Sequence, residues 1–149
     1  MPFSNTYANN ILDWAFGKKD LGRLETVFIG FSTNDPEADN GAFSELSGGA
    51  YHRVAVGSYG DPYPDYINAA SGREITNGKQ INWTKATANW PDAKGLGLFT
   101  TETGGTPFYY CALDQVLSVE AGAVALFDPG ALKIKFPATD IAYASATSE

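Results

Sequence analysis

Thr26-Val27-Phe28-Ile29-Gly30-Phe31-Ser32 decides the fold. Its β-branched and aromatic residues, closed by the turn-rich acidic stretch 34–40, read as a strand. Downstream, Ser47-Gly48-Gly49 introduces a second strand over residues 50–56, and residues 57–72, with Gly60, Pro62, Pro64 and Gly72, read as a long loop. Residues 73–76 and 79–83 bracket Asn77-Gly78, the strongest short hairpin signal in the chain. Residues 95–100 and 107–113 flank a second turn, Glu102-Thr103-Gly104-Gly105, and residues 115–119 and 123–127 surround a third, Glu120-Ala121-Gly122. Ala131-Leu132-Lys133-Ile134-Lys135-Phe136 alternates strictly, placing Leu132, Ile134 and Phe136 inward and the lysines outward. Short strands with regularly spaced turns predict an all-β chain, an antiparallel β-sandwich or jelly-roll-like domain.

Upstream of the deciding strand the period is different. Tyr7, Ile11, Trp14 and Ala15 share one helical face, Asn5 or Thr6 is placed to cap the start, and Gly17 to stop the end. Lys18 and Lys19 follow where cations favour a helix C-terminus. A helix this short needs something to pack on, either one end of a sheet or a neighbouring subunit. The chain therefore reads as a single domain over 1–149: a short N-terminal α-helix or arm (1–17), a β-sandwich (24–136) and a small-residue tail (137–149) anchored only by Ile141 and Tyr143.

The composition narrows the function. The 149 residues are 44% hydrophobic and 13% aromatic, enough for a core, and the formal net charge of −7 disfavours binding to nucleic-acid phosphates. No apolar run approaches the ~20 residues that span a bilayer, and no targeting segment is visible, so synthesis in a cytoplasm with Cys111 reduced is expected. One His and one Cys are too few for a His/Cys zinc site or an internal disulfide.

Candidate chemistry is sparse. The loop Asn34-Asp35-Pro36-Glu37-Ala38-Asp39-Asn40-Gly41 alternates oxygen ligands, but its glycine is one place late for an EF-hand and Leu46 stands where a bidentate Glu belongs, so a solvated turn is the stronger reading. His52, the sole imidazole, precedes Arg53 in the expected second strand, which puts the two side chains on opposite faces without a nucleophile elbow. Cys111 lies within an apolar run and reads as a core residue. Asp61, Asp65 and Asp92 lie near aromatics, which leaves glycosidase chemistry as a weak option. Gly95-Leu96-Gly97-Leu98 lacks the features of a phosphate loop and marks a bulge or close backbone approach. No catalytic residue, metal site or cofactor is assigned. The Tyr/Pro stretch from Tyr59 through Tyr63 to Tyr66 suits a rigid contact loop. Together with Tyr7, Ile11, Trp14, Phe16, Ile141 and Tyr143, these tyrosines are the candidate partner-docking residues.

Several of these stretches, in this order, carry a resemblance: the helix Tyr7-Ala8-Asn9-Asn10-Ile11-Leu12-Asp13-Trp14-Ala15-Phe16-Gly17, the strand Val27-Phe28-Ile29-Gly30-Phe31-Ser32, then Ser47-Gly48-Gly49-Ala50-Tyr51, Ile81-Asn82-Trp83 and Pro129-Gly130-Ala131-Leu132. The chain resembles a family of small tailed-bacteriophage virion proteins, usually labelled tail fibre proteins and sometimes head decoration proteins, over most of 7–136. Two segments depart from that family's pattern. Trp90 to Leu98 lacks the family's His, and Thr101-Glu102-Thr103-Gly104-Gly105 keeps the glycines of a family turn without its Asp. The resemblance implies a structural protein of the virion, made in the host cytoplasm, with no enzymatic activity. The expected role is a capsid decoration (cement) protein on the outside of the head. It would stabilise the shell by contact with the major capsid protein and self-associate as a homotrimer, without nucleic acid or membrane. The absence of shaft repeats and heptads favours that compact role. The alternative is a tail-fibre or tail-tip component touching a host receptor or other tail proteins, and a carbohydrate-active enzyme is a weaker third.

Overall fold

Four antiparallel strands form the central sheet of the computed structural model, which describes residues 3–20, 26–58 and 70–135. They are β1 (Thr26–Ser32), β2 (Val54–Ser58), β5 (Ala93–Phe99) and β6 (Tyr109–Leu117), in the order β2-β1-β5-β6. Two short ribbons accompany it: β3 (Glu74–Thr76) pairs with β8 (Lys133–Lys135), and β4 (Ile81–Asn82) with β7 (Leu126–Phe127). One helix, α1 (Asn5–Ala15), precedes the strands. The fold is all-β with a short N-terminal helix.

The register explains the core. Ile29 pairs with Leu98 and Leu98 with Tyr109, while Phe31 pairs with Leu96 and Leu96 with Cys111. Side chains alternate across a pleat, so these two rows share one face, and all six are buried. The ribbons close over that face: Trp83, just after β4, lies 4.7 Å from the Phe31 ring centroid, and Phe127 of β7 lies 6.2 Å from it. Leu132 is buried and Ile134 half-buried between outward lysines, as the strict alternation predicts.

The opposite face is built from absence of side chains. Gly30 pairs with Gly97, and Ser32 with Gly95, so the chain from 33 to 53 can lie directly on the sheet. A methyl group on Gly97 would come within 2.8 Å of the Phe43 ring, and one on Gly30 within 2.9 Å of Glu45. The glycines of β5 thus mark a close backbone approach, as their sequence suggested.

Some local expectations are corrected. The second strand begins at Val54 rather than residue 50, because residues 50–53 turn to seat Tyr51 and Arg53. Asn77-Gly78 makes no hairpin: β3 and β4 pair with β8 and β7, not with each other. Asn77 is instead fully buried, accepting from Leu132 N (3.0 Å) and donating to the carbonyls of Lys79 (2.8 Å) and Asp128 (3.0 Å). Its side chain ties two distant turns together, work that a hairpin Asn facing solvent does not do. The third expected hairpin also fails, since β6 runs on to Leu117 and β7 pairs with β4. The β5–β6 hairpin is present.

Candidate docking surface

Ser4, rather than Asn5 or Thr6, caps α1, its hydroxyl accepting from Tyr7 N at 3.2 Å. Gly17, at φ +73°, ends the helix, and Lys19 Nζ folds back to Asn10 Oδ1 at 2.9 Å. The N-terminal end of this unit is tied to the sheet. Phe3 bridges Tyr109 in antiparallel fashion, and Ser4 N donates to Phe108 O at 2.8 Å. The Phe3 ring meets Tyr109 edge-on at 4.9 Å, and Tyr7 sits 4.8 Å from Phe108. The far end carries Leu12, Trp14 and Phe16 at 57%, 56% and 78% exposure, and no residue of α1 is buried. At 100° per residue, Leu12 and Phe16 form a strip beside the Tyr7–Ile11–Trp14 strip, which widens the apolar arc to about half the helix.

The nine docking candidates therefore separate. Tyr7 is spent on the body and Ile11 is half-buried, whereas Trp14 and Phe16 stand in solvent. Tyr59, Tyr63, Tyr66, Ile141 and Tyr143 lie outside the described residues. Leu12, outside the candidate set, is exposed as well, at i, i+4 spacing to Phe16.

A second feature lies along β6, an edge strand of the central sheet. Beyond Phe3, no described strand pairs with its outer edge. A groove of about 710 Å³ runs between β6 and the 126–135 segment, floored by Phe31 and Leu96 and walled by Leu113, Leu117, Leu126 and Phe127.

The remaining candidates serve the fold. Arg53 is buried and holds Glu45 in a two-pronged pair, Nε to Oε2 at 2.8 Å and Nη2 to Oε1 at 2.9 Å. Its Nη1 donates to the carbonyls of Thr101 (2.9 Å) and Gly104 (2.8 Å), and its guanidinium carbon lies 3.4 Å from the Phe99 ring centroid. Tyr51 donates to the same Glu45 carboxylate at 2.8 Å and accepts from Phe31 N at 2.9 Å; burial pushes its phenol well above the usual range. The cluster locks the 45–53 segment and the β5–β6 loop to the sheet. His52 is exposed, with Nδ1–H donating to Arg53 O (2.8 Å) and Nε2 meeting the Thr84 hydroxyl (3.0 Å), so both ring nitrogens are engaged.

In the acidic loop, Asp35 Oδ1 accepts from Glu37 N and Ala38 N, Asp39 from Asn34, and Glu37 from Ala112 N. Its carboxylates shape the turn, and among the described residues no three His, Cys, Asp or Glu side chains gather as a metal set. Asp92 accepts from Ser118, and Asp61 and Asp65 lie outside the described residues. Cys111 is buried, which pushes its thiol up to about 12, with the Glu37 carboxylate adding to the rise; it is a core residue. Among the described residues no helix is long and apolar enough to cross a membrane.

No curated protein matches the chain. The family model described as Podophage GP4 fiber I protein gp80 matches residues 2–135, which takes in the helix, all eight strands and both surfaces described above. The chain belongs to that family, one of phage tail fibre-type virion proteins and not a known enzyme family.

Proposed function

We propose that this protein is a small fibre-associated subunit of a phage tail, joined to its neighbours in the virion through the exposed apolar end of α1. The observation that carries the reading is the helix: one end is riveted to the sheet by Phe3, Ser4 and Tyr7, and the other holds Leu12, Trp14 and Phe16 out in water. Large apolar groups held on a short helix away from their own core mark an interaction surface. The family's description as a fibre protein favours the tail over the head. Capsid decoration, with the major capsid protein as partner, is the competing assignment.

Copy number separates the two. Quantitative mass spectrometry of purified virions, referenced to the major capsid protein, is expected to find far fewer copies of this chain than of capsid subunits, and to find them in the isolated tail fraction. Near-equal copies, retained on tail-less heads, would overturn the tail reading in favour of decoration. Absence from the particle would overturn both.

A further inference from the structure

The chain holds two Asn-Gly pairs, Asn40-Gly41 and Asn77-Gly78, and the fold treats them oppositely. In such a pair the glycine amide can attack the carboxamide before it, because glycine has no Cβ to obstruct the approach. At Asn77 the fold forbids this. The residue is fully buried, its Nδ2 donates to the carbonyls of Lys79 and Asp128, and its Oδ1 accepts from Leu132 N, so the carboxamide cannot turn towards Gly78. Asn40 is exposed in the acidic turn, and among the described residues no hydrogen bond holds its side chain. We propose that Asn40-Gly41 is a self-modifying site, where the folded protein converts the Asn40 amide to a carboxylate while Asn77 is preserved.

The conversion needs only base and water. Base takes the proton of Gly41 N, a bond forms from that nitrogen to Asn40 Cγ, and the Cγ–Nδ2 bond breaks to release ammonia. Water then opens the resulting succinimide at either carbonyl, leaving an aspartyl or an isoaspartyl linkage, with no change of oxidation state. One hydrogen bond gates the attack: Gly41 N donates to Pro36 O at 2.8 Å. Opening it is a local event in an exposed turn, whereas freeing Asn77 parts two turns that cover the core and approaches global unfolding. The same turn demands the reactive pair. Asn40 sits at φ +56°, which Asn tolerates better than most residues, and Gly41 at φ +89°, where a Cβ would also come 3.1 Å from the Tyr110 hydroxyl. The product places a new carboxylate next to Asp39. Its isoaspartyl form lengthens the backbone of the turn that carries Glu37 to Ala112 N of β6, a 2.8 Å contact.

The test ages the purified full chain in neutral and in alkaline buffer, and maps peptides by mass spectrometry for the gain in mass from amide to acid. In the folded chain Asn40 is expected to convert at least about a hundredfold faster than Asn77, since one waits on local opening and the other on unfolding. In concentrated urea the two pairs are expected to convert at similar rates, which shows that the fold makes the difference. On isoelectric focusing the acidic species of the aged wild type should run with fresh Asn40→Asp protein, and folded Asn40→Asp should form no such species on ageing. An Asn40 that stays intact in the folded chain while converting in urea would overturn the proposal, because the Gly41–Pro36 hydrogen bond would then suffice to protect it. Equal conversion of Asn40 and Asn77 in the folded chain would overturn it as well. Neither readout involves the particle or α1, so the result is independent of the function proposed above.

Discussion

Arg53 and Gly97 show how single residues set the β face that the sequence left unassigned. Arg53 lies buried with one half-buried carboxylate, two carbonyls and an aromatic face around it, so truncation removes the donor that joins them. Arg53→Ala is expected to lower unfolding free energy by about 2 kcal/mol in urea titrations, less than for a fully buried pair because water can reach the Glu45 carboxylate left behind. Gly97→Ala drives a methyl group against Phe43 and should cost about 1–3 kcal/mol through overpacking. Cys111 and Tyr109 make a pH prediction. Burial raises both acids, each to about 12 from ordinary values of 9.0 and 10.0. The native state therefore holds these protons more tightly than the unfolded chain, so the contribution is complete below pH 9 and is lost as pH rises towards 12. Melting temperatures should fall across that window, and Cys111→Ala should shrink the fall; a flat profile to pH 12 would contradict it. Cys111 as a core residue and Gly97 as a close approach were legible in the residue string, whereas the partners of Arg53 were not, because only the fold brings Glu45 and the 101–104 loop to it.

At the scale of elements, legibility followed the kind of signal. β1 was readable to the residue, since a β-branched and aromatic run bounded by turns has few other conformations, and Leu132-Lys133-Ile134 kept its alternation. The helix and its Gly17 stop were readable as well, but the cap moved to Ser4 because Phe3 pairs with Tyr109 and fixes where the helix starts. Asn77-Gly78 misled because a two-residue turn signal is local, whereas β3 and β4 each found a better partner more than forty residues downstream. Asn77→Ala should accordingly behave as a core substitution and cost about 3 kcal/mol, because it leaves Leu132 N–H and two carbonyls unpaired. A surface turn residue would lose only a few tenths. Of the candidates on the helix, Trp14 and Phe16 are exposed, while Tyr7 looks identical in a pattern yet packs on Phe108.

For the whole molecule, the sheet carries the buried core and α1 has no buried residue. Loss of the apolar groups at the helix end should hardly affect the core: Leu12→Lys with Phe16→Lys is expected to change unfolding free energy by about 0.5 kcal/mol or less, because both side chains already face water. On the proposed reading, their contribution is to assembly. The most direct measurement is incorporation into virions of phage carrying that double variant, counted by quantitative mass spectrometry beside the wild type. If α1 is the attachment element, copies per particle should drop at least about tenfold while the purified variant melts as the wild type does. Incorporation at the wild-type level would contradict attachment through α1 and leave the exposed helix end without a role in the particle.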